Sequence, residues 1–191
     1  MNELLPAGGT IRKLWPGETQ AYRDHLLRLD AESRRRRFSG TASDDFIARH
    51  AAGARGLGVV LYGFFVDGTL RGAAELRQYG APFGREAEAA FSVEQPWQSQ
   101  GVGSVLLRRT LLTARNRGIT ALHMHCLADN RRMQRLARKF DADLHFDFGS
   151  VVGEVDAPRS TPLSLMREAL DDAHGIAASI LDAQSRFLRV A

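Results

Sequence analysis

The stretch Gln98-Ser99-Gln100-Gly101-Val102-Gly103-Ser104 separates a strand expected over Glu88 to Val93 from a helix expected over roughly Gly101 to Arg117. Glycines at such a junction let the backbone turn sharply and come close to a ligand. The first amides of the helix have no internal partners and point at whatever lies above them. A pyrophosphate fits that geometry, and so does a plain tight turn. The dinucleotide-binding fingerprint needs another glycine three residues on, where this chain has Leu106, and the phosphate-loop lysine is also missing.

Outward from this junction the pattern alternates between the two periods. Thr10 to Leu14 reads as a short strand, Pro16-Gly17 breaks the chain, and Glu18 to Leu29 has helical spacing with Tyr22, Leu26 and Leu29 on one stripe. Asp30 and Ser33 suit the start of a helical turn through Arg34 to Phe38, and Ser43 caps another that carries Asp44, Asp45, Phe46, Ile47 and His50. From Gly58 the period becomes two. Val59 to Val66, the turn Asp67-Gly68 and Thr69 to Arg77 form a hairpin, and a loop over Gly80 to Gly84 leads into Glu88 to Val93. Downstream, Gly118 ends the central helix, Ala121 to Leu127 is a strand, Asn130 to Phe140 a helix, and Leu144 to Phe148 with Val151 to Val155 a last hairpin. The order is β, helices, β-β-β, α, β, α, β-β, an α/β (α+β) chain.

The 191 residues, 44% hydrophobic and 25% charged, suit one domain with a short appendage. The single cysteine, Cys126, cannot form an internal disulfide and reads as a small core residue, which points to a reducing cytoplasm. No apolar run reaches the roughly 18 to 20 residues of a membrane span, and Met1 to Gly9 lacks the pattern of a secretory leader. Of the 26 basic residues all but Lys13 and Lys139 are arginine, a side chain suited to phosphate and carboxylate. The clusters Arg34 to Arg37 and Arg131, Arg132, Arg135, Arg138 with Lys139 are not interleaved with aromatic platforms, so nucleic acid is not an expected partner. Arg34 to Arg37 is expected as a solvated helix face. His123 and His125 share one face of a strand, but no third ligand has recognisable spacing, and no metal is expected.

Four blocks in order, Glu88-Ala-Ala-Phe-Ser-Val93, Trp97-Gln-Ser-Gln-Gly-Val-Gly103, Ala114-Arg-Asn-Arg-Gly118 and Asn130-Arg-Arg-Met-Gln-Arg-Leu-Ala137, together resemble the GNAT superfamily of N-acetyltransferases. The resemblance covers roughly Thr10 to Val155. Within the superfamily, Leu29 to Phe38 and the Asn130-x-x-Met133-x-x-Leu136-Ala137 helix look most like the acetyltransferase domain of bacterial protein-lysine acetyltransferases. The resemblance implies a mixed, mostly antiparallel sheet split between its fourth and fifth strands, with acetyl-CoA as co-substrate. The pantetheine arm would pair with backbone at Phe91, Ser92 and Val93, satisfying groups that a split sheet leaves open. The amides of Gln98, Ser99, Gln100, Gly101, Val102, Gly103 and Ser104 would hold the pyrophosphate, and Asn130 and Met133 would flank the arm from the other side.

The implied reaction moves an acetyl group to a primary amine, with protein lysine as the favoured acceptor and a small-molecule amine as the alternative. Lysine is only about one part in a thousand neutral near pH 7.4, so a base or water relay is useful. Glu88 is the first candidate and Glu75, on the neighbouring strand, the second. The oxyanion would rest on a backbone amide near Val93. Many members of the superfamily carry a tyrosine, where this chain has Ala137, to protonate the leaving thiolate; Tyr62 and Tyr79 are too far along the chain to replace it by motif. That departure keeps open a non-catalytic acyl-CoA-binding regulatory module.

The acetyltransferase domain is expected over residues 10–158 and a C-terminal amphipathic helix over 159–191. Leu163, Met166, Leu170, Ala173, Ala177, Ile180, Gln184 and Phe187 alternate spacings of three and four, a heptad seam with one polar member. Such a stripe must bury against something. Packing on the parent domain is the first expectation, because Gln184 and Gly175 weaken a free coiled coil, and pairing of two chains is the alternative.

Overall fold

The computed structural model describes residues 5, 6, 8–79, 84–147, 149–156 and 159–190, with backbone alone for residues 147, 156, 182 and 185–190. Seven strands and six helices follow the expected order: β1 Gly9–Lys13, α1 Thr19–Arg28, α2 Ala31–Phe38, α3 Asp44–Gly53, β2 Val59–Val66, β3 Thr69–Gln78, β4 Glu86–Val93, α4 Val102–Asn116, β5 Ala121–Leu127, α5 Arg131–Lys139, β6 Asp143–Asp147, β7 Ser150–Asp156 and α6 Pro162–Val190. Local chemistry sets the boundaries. Asp30 accepts from the Ser33 amide at the start of α2, Ser43 from the Phe46 amide at the start of α3, and Asn130 from the Met133 amide at the start of α5. Asp67 and Gly68 both take positive φ, the two-residue turn that matches strand twist between β2 and β3. Strand β4 starts two residues before the expected Glu88, because Glu86 and Ala87 already pair with β5. Of the loop expected over Gly80 to Gly84, residues 80–83 lie outside the described residues, as does Phe148 of the last hairpin.

The strands form one sheet in the order β1-β2-β3-β4-β5-β7-β6. Every neighbouring pair is antiparallel except β4 with β5, and that parallel ladder has only three rungs: Glu86 opposite Ala121, Ala87 opposite Leu122 and Glu88 opposite His123. Beyond Glu88, β4 keeps its other neighbour as far as Val93 opposite Gly72, while β5 keeps β7 as far as Leu127 opposite Ser150. The sheet therefore opens into a V between residues 89–93 and 124–127. Each face carries its own core. Phe64, Leu76, Ala87 and Ala89 pack with Val105 and Leu106 of α4 and with Ala137 of α5; Leu61, Phe65 and Ala73 pack with Tyr22 and Leu26 of α1 and Ile47 of α3. With a period of two, Glu88, Ala90 and Ser92 of β4 lie on the α1 face.

Helix α6 departs from the expectation. It lies against β1 and α4, but its apolar seam is not the buried face: Leu163, Met166, Leu170 and Ile180 are 69%, 55%, 62% and 54% exposed. The opposite face does the docking. Lys13 donates to Glu168 and Asp172, both at 2.6 Å, Thr113 and Asn116 each donate to Glu168 at 2.6 Å, and Ser164 donates to Asn116 at 2.6 Å. Gly175 lets the helix approach β1 so closely that a Cβ there would sit 2.8 Å from the Ile11 carbonyl oxygen. Polar groups with partners already waiting on α4 and β1 win the interior. The side chain of Phe187 lies outside the described residues.

Candidate active site

Gly101 takes φ +85 immediately before α4, and the amides of Val102 and Gly103 begin the helix with no carbonyl four residues behind them inside it. A Cβ added at Gly103 would come no nearer than 3.5 Å to Leu136, so this turn presents bare backbone to the space above it. That space is a cavity of about 400 Å³ beside the open end of the V, between α2, the tip of β4, the start of α4 and α5. Ten of the twelve residues expected to hold the co-substrate line it: Phe91, Ser92, Val93, Gln98, Ser99, Gly101, Gly103, Ser104, Asn130 and Met133. The other two do not. The Val102 side chain is buried in the core, and Gln100 folds back to donate to the Pro96 carbonyl at 2.6 Å. Gln98 braces the loop, donating to the Val93 carbonyl at 2.8 Å and to Ser33 at 3.2 Å while accepting from Arg132.

Arg36, Arg37, Arg132, Arg135 and Lys139 also line this cavity, and no carboxylate does. Arg37 and Arg36 are paired with Glu75 and Glu32 outside the lining, and Arg132, Arg135 and Lys139 around a helix N-terminus make the space an anion site. A larger cavity of about 670 Å³ between α4, the β6–β7 hairpin and α6 shares none of these residues, and there Asp141, Asp143, Glu154 and Asp171 offset the arginines. Four carboxylates against four arginines leave no excess positive charge for a diphosphate, so size does not decide between the two.

Glu88 stands on the last rung of the parallel ladder, half-buried at the vertex of the V, and accepts a hydrogen bond from Tyr79 at 3.0 Å. Chain distance hid that partner, which folds in from the end of β3. Desolvation and the nearby Glu88 push the Tyr79 hydroxyl upward, so it stays a donor. Ala137 is buried among apolar neighbours, so its position offers no proton donor.

Glu75, the second candidate base, is only 3% exposed and fully committed. Its carboxylate accepts from Tyr22 at 2.8 Å, Arg37 at 2.6 Å, His50 at 2.8 Å and Arg77 at 2.5 Å. Burial alone would raise its pKa, but the His50 hydrogen bond and the Arg37 charge outweigh it and hold the group well below the usual carboxylate range. A carboxylate so held is engaged by four donors and lies outside the lining of the cavity. The same contact corrects the expected solvated arginine face: the Arg37 side chain is buried, the anchor of α2 on the sheet.

A third group escapes sequence reasoning, because its members lie 67 and 69 residues apart. His25 of α1, fully buried, has Nε2 2.9 Å from Ser92 Oγ and Nδ1 3.2 Å from Glu94. Arg28 and Arg71 donate to the same carboxylate at 3.0 and 2.9 Å. Burial lowers the His25 pKa, against the pull of Glu94.

The sequence model of the Acetyltransferase (GNAT) family matches residues 23–142. The chain belongs to the GNAT acetyltransferase family. Acetyl-CoA is that family's co-substrate. Acetyltransferase Pat of Mycolicibacterium smegmatis (strain ATCC 700084 / mc(2)155) is 28% identical over 101 residues, which is 52% of this chain and 30% of that protein, so the match spans less than a third of the relative's length. The GNAT domain of S. lividans PAT superposes with a TM-score of 0.66 at 22% identity, over 76% of this chain and 89% of that one. The yncA protein of Salmonella typhimurium, solved with its cofactor acetyl-CoA, gives 0.58 at 19% identity, over 81% and 96%. At such identities the likeness is one of fold. Among the described residues no helix is long and apolar enough to cross a membrane.

Proposed function

We propose that this GNAT acetyltransferase transfers an acetyl group from acetyl-CoA to a primary amine, with protein lysine as the favoured acceptor, through residues 10–158. The observation that carries the reading is the cavity at the N-terminus of α4, lined by no carboxylate and by Arg132, Arg135 and Lys139, opening beside the V between β4 and β5. The pyrophosphate would lie over Gln98 to Ser104, chiefly on backbone amides, with Arg132, Arg135 and Lys139 around it. The pantetheine amides would pair along Phe91 to Val93, where β4 has no neighbour on the β5 side. Glu88 would take the first proton, turning the ammonium into the free amine through ordered water before attack, since it stands three to five residues, about 10 to 17 Å of strand, before that segment. The resemblance of Leu29 to Phe38 and of the Asn130 to Ala137 helix to protein-lysine acetyltransferases supports the choice of acceptor. A lone buried cysteine and a thioester substrate suit a reducing cytoplasm. Incubating the protein with isotopically labelled acetyl-CoA, a whole-proteome extract and a panel of small amines tests the reading. Label on protein lysines is the expected result; label confined to small amines moves the acceptor class, and no transfer despite tight acetyl-CoA binding makes the protein a binding module.

The second part of the reading concerns the exposed seam of α6, for which we propose the same helix of a second copy as the occupant. Its spacing of three and four, held from Leu163 to Ile180 on the solvent side, is the period at which two helices wrap around each other. Ile176 and Leu181 widen the strip. Leu163, Met166, Leu170, Ile180 and Leu181, each exposed by half or more, offer about 80 Å² apiece, so two such strips bury about 800 Å² together before Ile176 and the seam alanines are added, the low end for a specific interface. Sedimentation should give a dimer for the wild type and a monomer of unchanged thermal stability for Leu170→Glu with Ile180→Glu. A wild-type monomer at tens of micromolar would overturn the pairing.

A further inference from the structure

We propose that Ser92, backed by His25 and Glu94, is the proton relay of the acetyl transfer, taking the proton from the amine and returning it to the departing sulfur. The inference rests on the reading that acetyl-CoA occupies the cavity at the tip of β4. Three observations lead to it. Ser92 lines that cavity on the strand segment expected to face the thioester, whereas Glu88 lies four residues away along the same strand. The position where a tyrosine would protonate the thiolate is Ala137, which is packed in the core. And the Ser92, His25 and Glu94 side chains make a continuous chain of hydrogen bonds that leads away from the cavity into a fully buried imidazole.

The tautomer follows from the partners. Glu94 is held ionised: burial would raise its pKa, but hydrogen bonds from His25 and Arg71 outweigh that and lower it. An ionised carboxylate only accepts, so His25 Nδ1 carries hydrogen toward Glu94 and Nε2 accepts the hydroxyl hydrogen of Ser92. The lone pairs of Ser92 Oγ are then left for a donor. As the amine nitrogen bonds to the thioester carbonyl carbon, its proton passes to Ser92 Oγ while the Ser92 proton passes to His25 Nε2. The resulting imidazolium is paired with Glu94, the orienting arrangement of a serine-histidine-acid array. The carbon–sulfur bond then breaks, and the proton returns from His25 through Ser92 to sulfur. An amide and a thiol leave, and the protein ends in its starting protonation state.

Ser92 is thus the residue that touches the reacting atoms, and His25 and Glu94 act through it. The charged groups around His25 are Glu94 after β4, Arg28 on α1, Arg71 on β3, which reaches it through Glu94, and Arg37 on α2, whose positive charge also disfavours a protonated ring. The ring is therefore neutral at physiological pH and available as an acceptor.

The test measures thiol release from acetyl-CoA with polylysine and with lysine peptides, beside calorimetric acetyl-CoA affinity and thermal melting for each variant. Ser92→Ala should bind acetyl-CoA as the wild type does and lose about 10²- to 10⁴-fold in kcat; Ser92→Thr, which restores the hydroxyl, should recover most of it. In the wild type kcat should rise with pH through an ionisation below the ordinary histidine range, and that limb should vanish in His25→Gln. A kcat unchanged in Ser92→Ala with binding intact would overturn the relay. Recovery of an acetyl ester on Ser92 in the absence of amine would overturn it too, in favour of a covalent intermediate. Loss of acetyl-CoA binding by the wild type would instead refute the reading of the cavity.

Discussion

Glu75 gives the sharpest separation between a structural and a chemical role. Replacing it with glutamine keeps the shape but removes the charge that neutralises Arg37, whose side chain is 7% exposed and sits 2.6 Å from the carboxylate. Breaking one partner out of a buried ion pair costs about 3 to 5 kcal/mol, because the remaining charge is stranded without water. Tyr22, fully buried, and His50 donate to the same oxygen as Arg37 and lose its charge, which places the expectation toward the upper end of that range. For a chain of this size each kcal/mol is worth about 2 to 4 °C in Tm, so Glu75→Gln should melt roughly 10 to 20 °C lower by circular dichroism. Since Arg37 pins α2, and α2 forms one wall of the cavity, the KM for acetyl-CoA should rise while kcat at saturation changes little. The pH dependence follows the same logic. A folded pKa below the unfolded value of about 4.3 gives stability that is fully present above that value and lost as pH falls through the folded pKa. The wild type should therefore lose stability in acid, and Glu75→Gln should have a flatter profile there. An unchanged Tm together with a hundredfold loss in kcat would refute the structural assignment and make Glu75 a base after all.

Other outcomes can be read quickly. Gly103→Asp should abolish acetyl-CoA binding in calorimetry while the melt stays near wild type, because the cavity has room for the side chain beside Leu136 but not for its charge near phosphates. Glu88→Gln should lower kcat by about 10²-fold or more with acetyl-CoA affinity preserved in the same titration. Lys13→Met should loosen α6, since it strands Glu168 and Asp172 together; limited proteolysis near residue 160 should accelerate, and Gly175→Val should do the same by pushing the helix off β1.

Periodicity carried the order of strands and helices, because each element's pattern is local: Asp67-Gly68 specifies its turn, and Gly118 stops α4 wherever the rest of the chain goes. The glycine turn before α4 was legible for the same reason. The relay was not. His25, Ser92 and Glu94 are ordinary polar residues in their own segments, and only packing α1 across β4 makes them neighbours. Arg37 lay hidden in a run of four arginines, because an arginine is buried only when a carboxylate waits inside, and Glu75 is three elements further along the chain. The seam of α6 shows a related limit: heptad spacing reveals a surface that wants a partner, while the polar groups at Ser164, Glu168 and Asp172 decide which side the domain itself takes.

The three-rung ladder between β4 and β5 also leaves two blocks of sheet that a shared core under α4 holds together. One block is β1–β4 and the other β5–β7–β6, and among the described residues backbone bonding across the sheet joins them at residues 85–88 and 120–123. A ligand wedged in the V would lie along one block and against the helix that follows β5 in the other, acting as a removable rivet. Ligation should then slow hydrogen exchange jointly in residues 89–93 and 124–127, and raise the melting temperature progressively as the ligand concentration exceeds Kd. Substrate supply would add to the cohesion of the open end of the sheet as well as feed turnover.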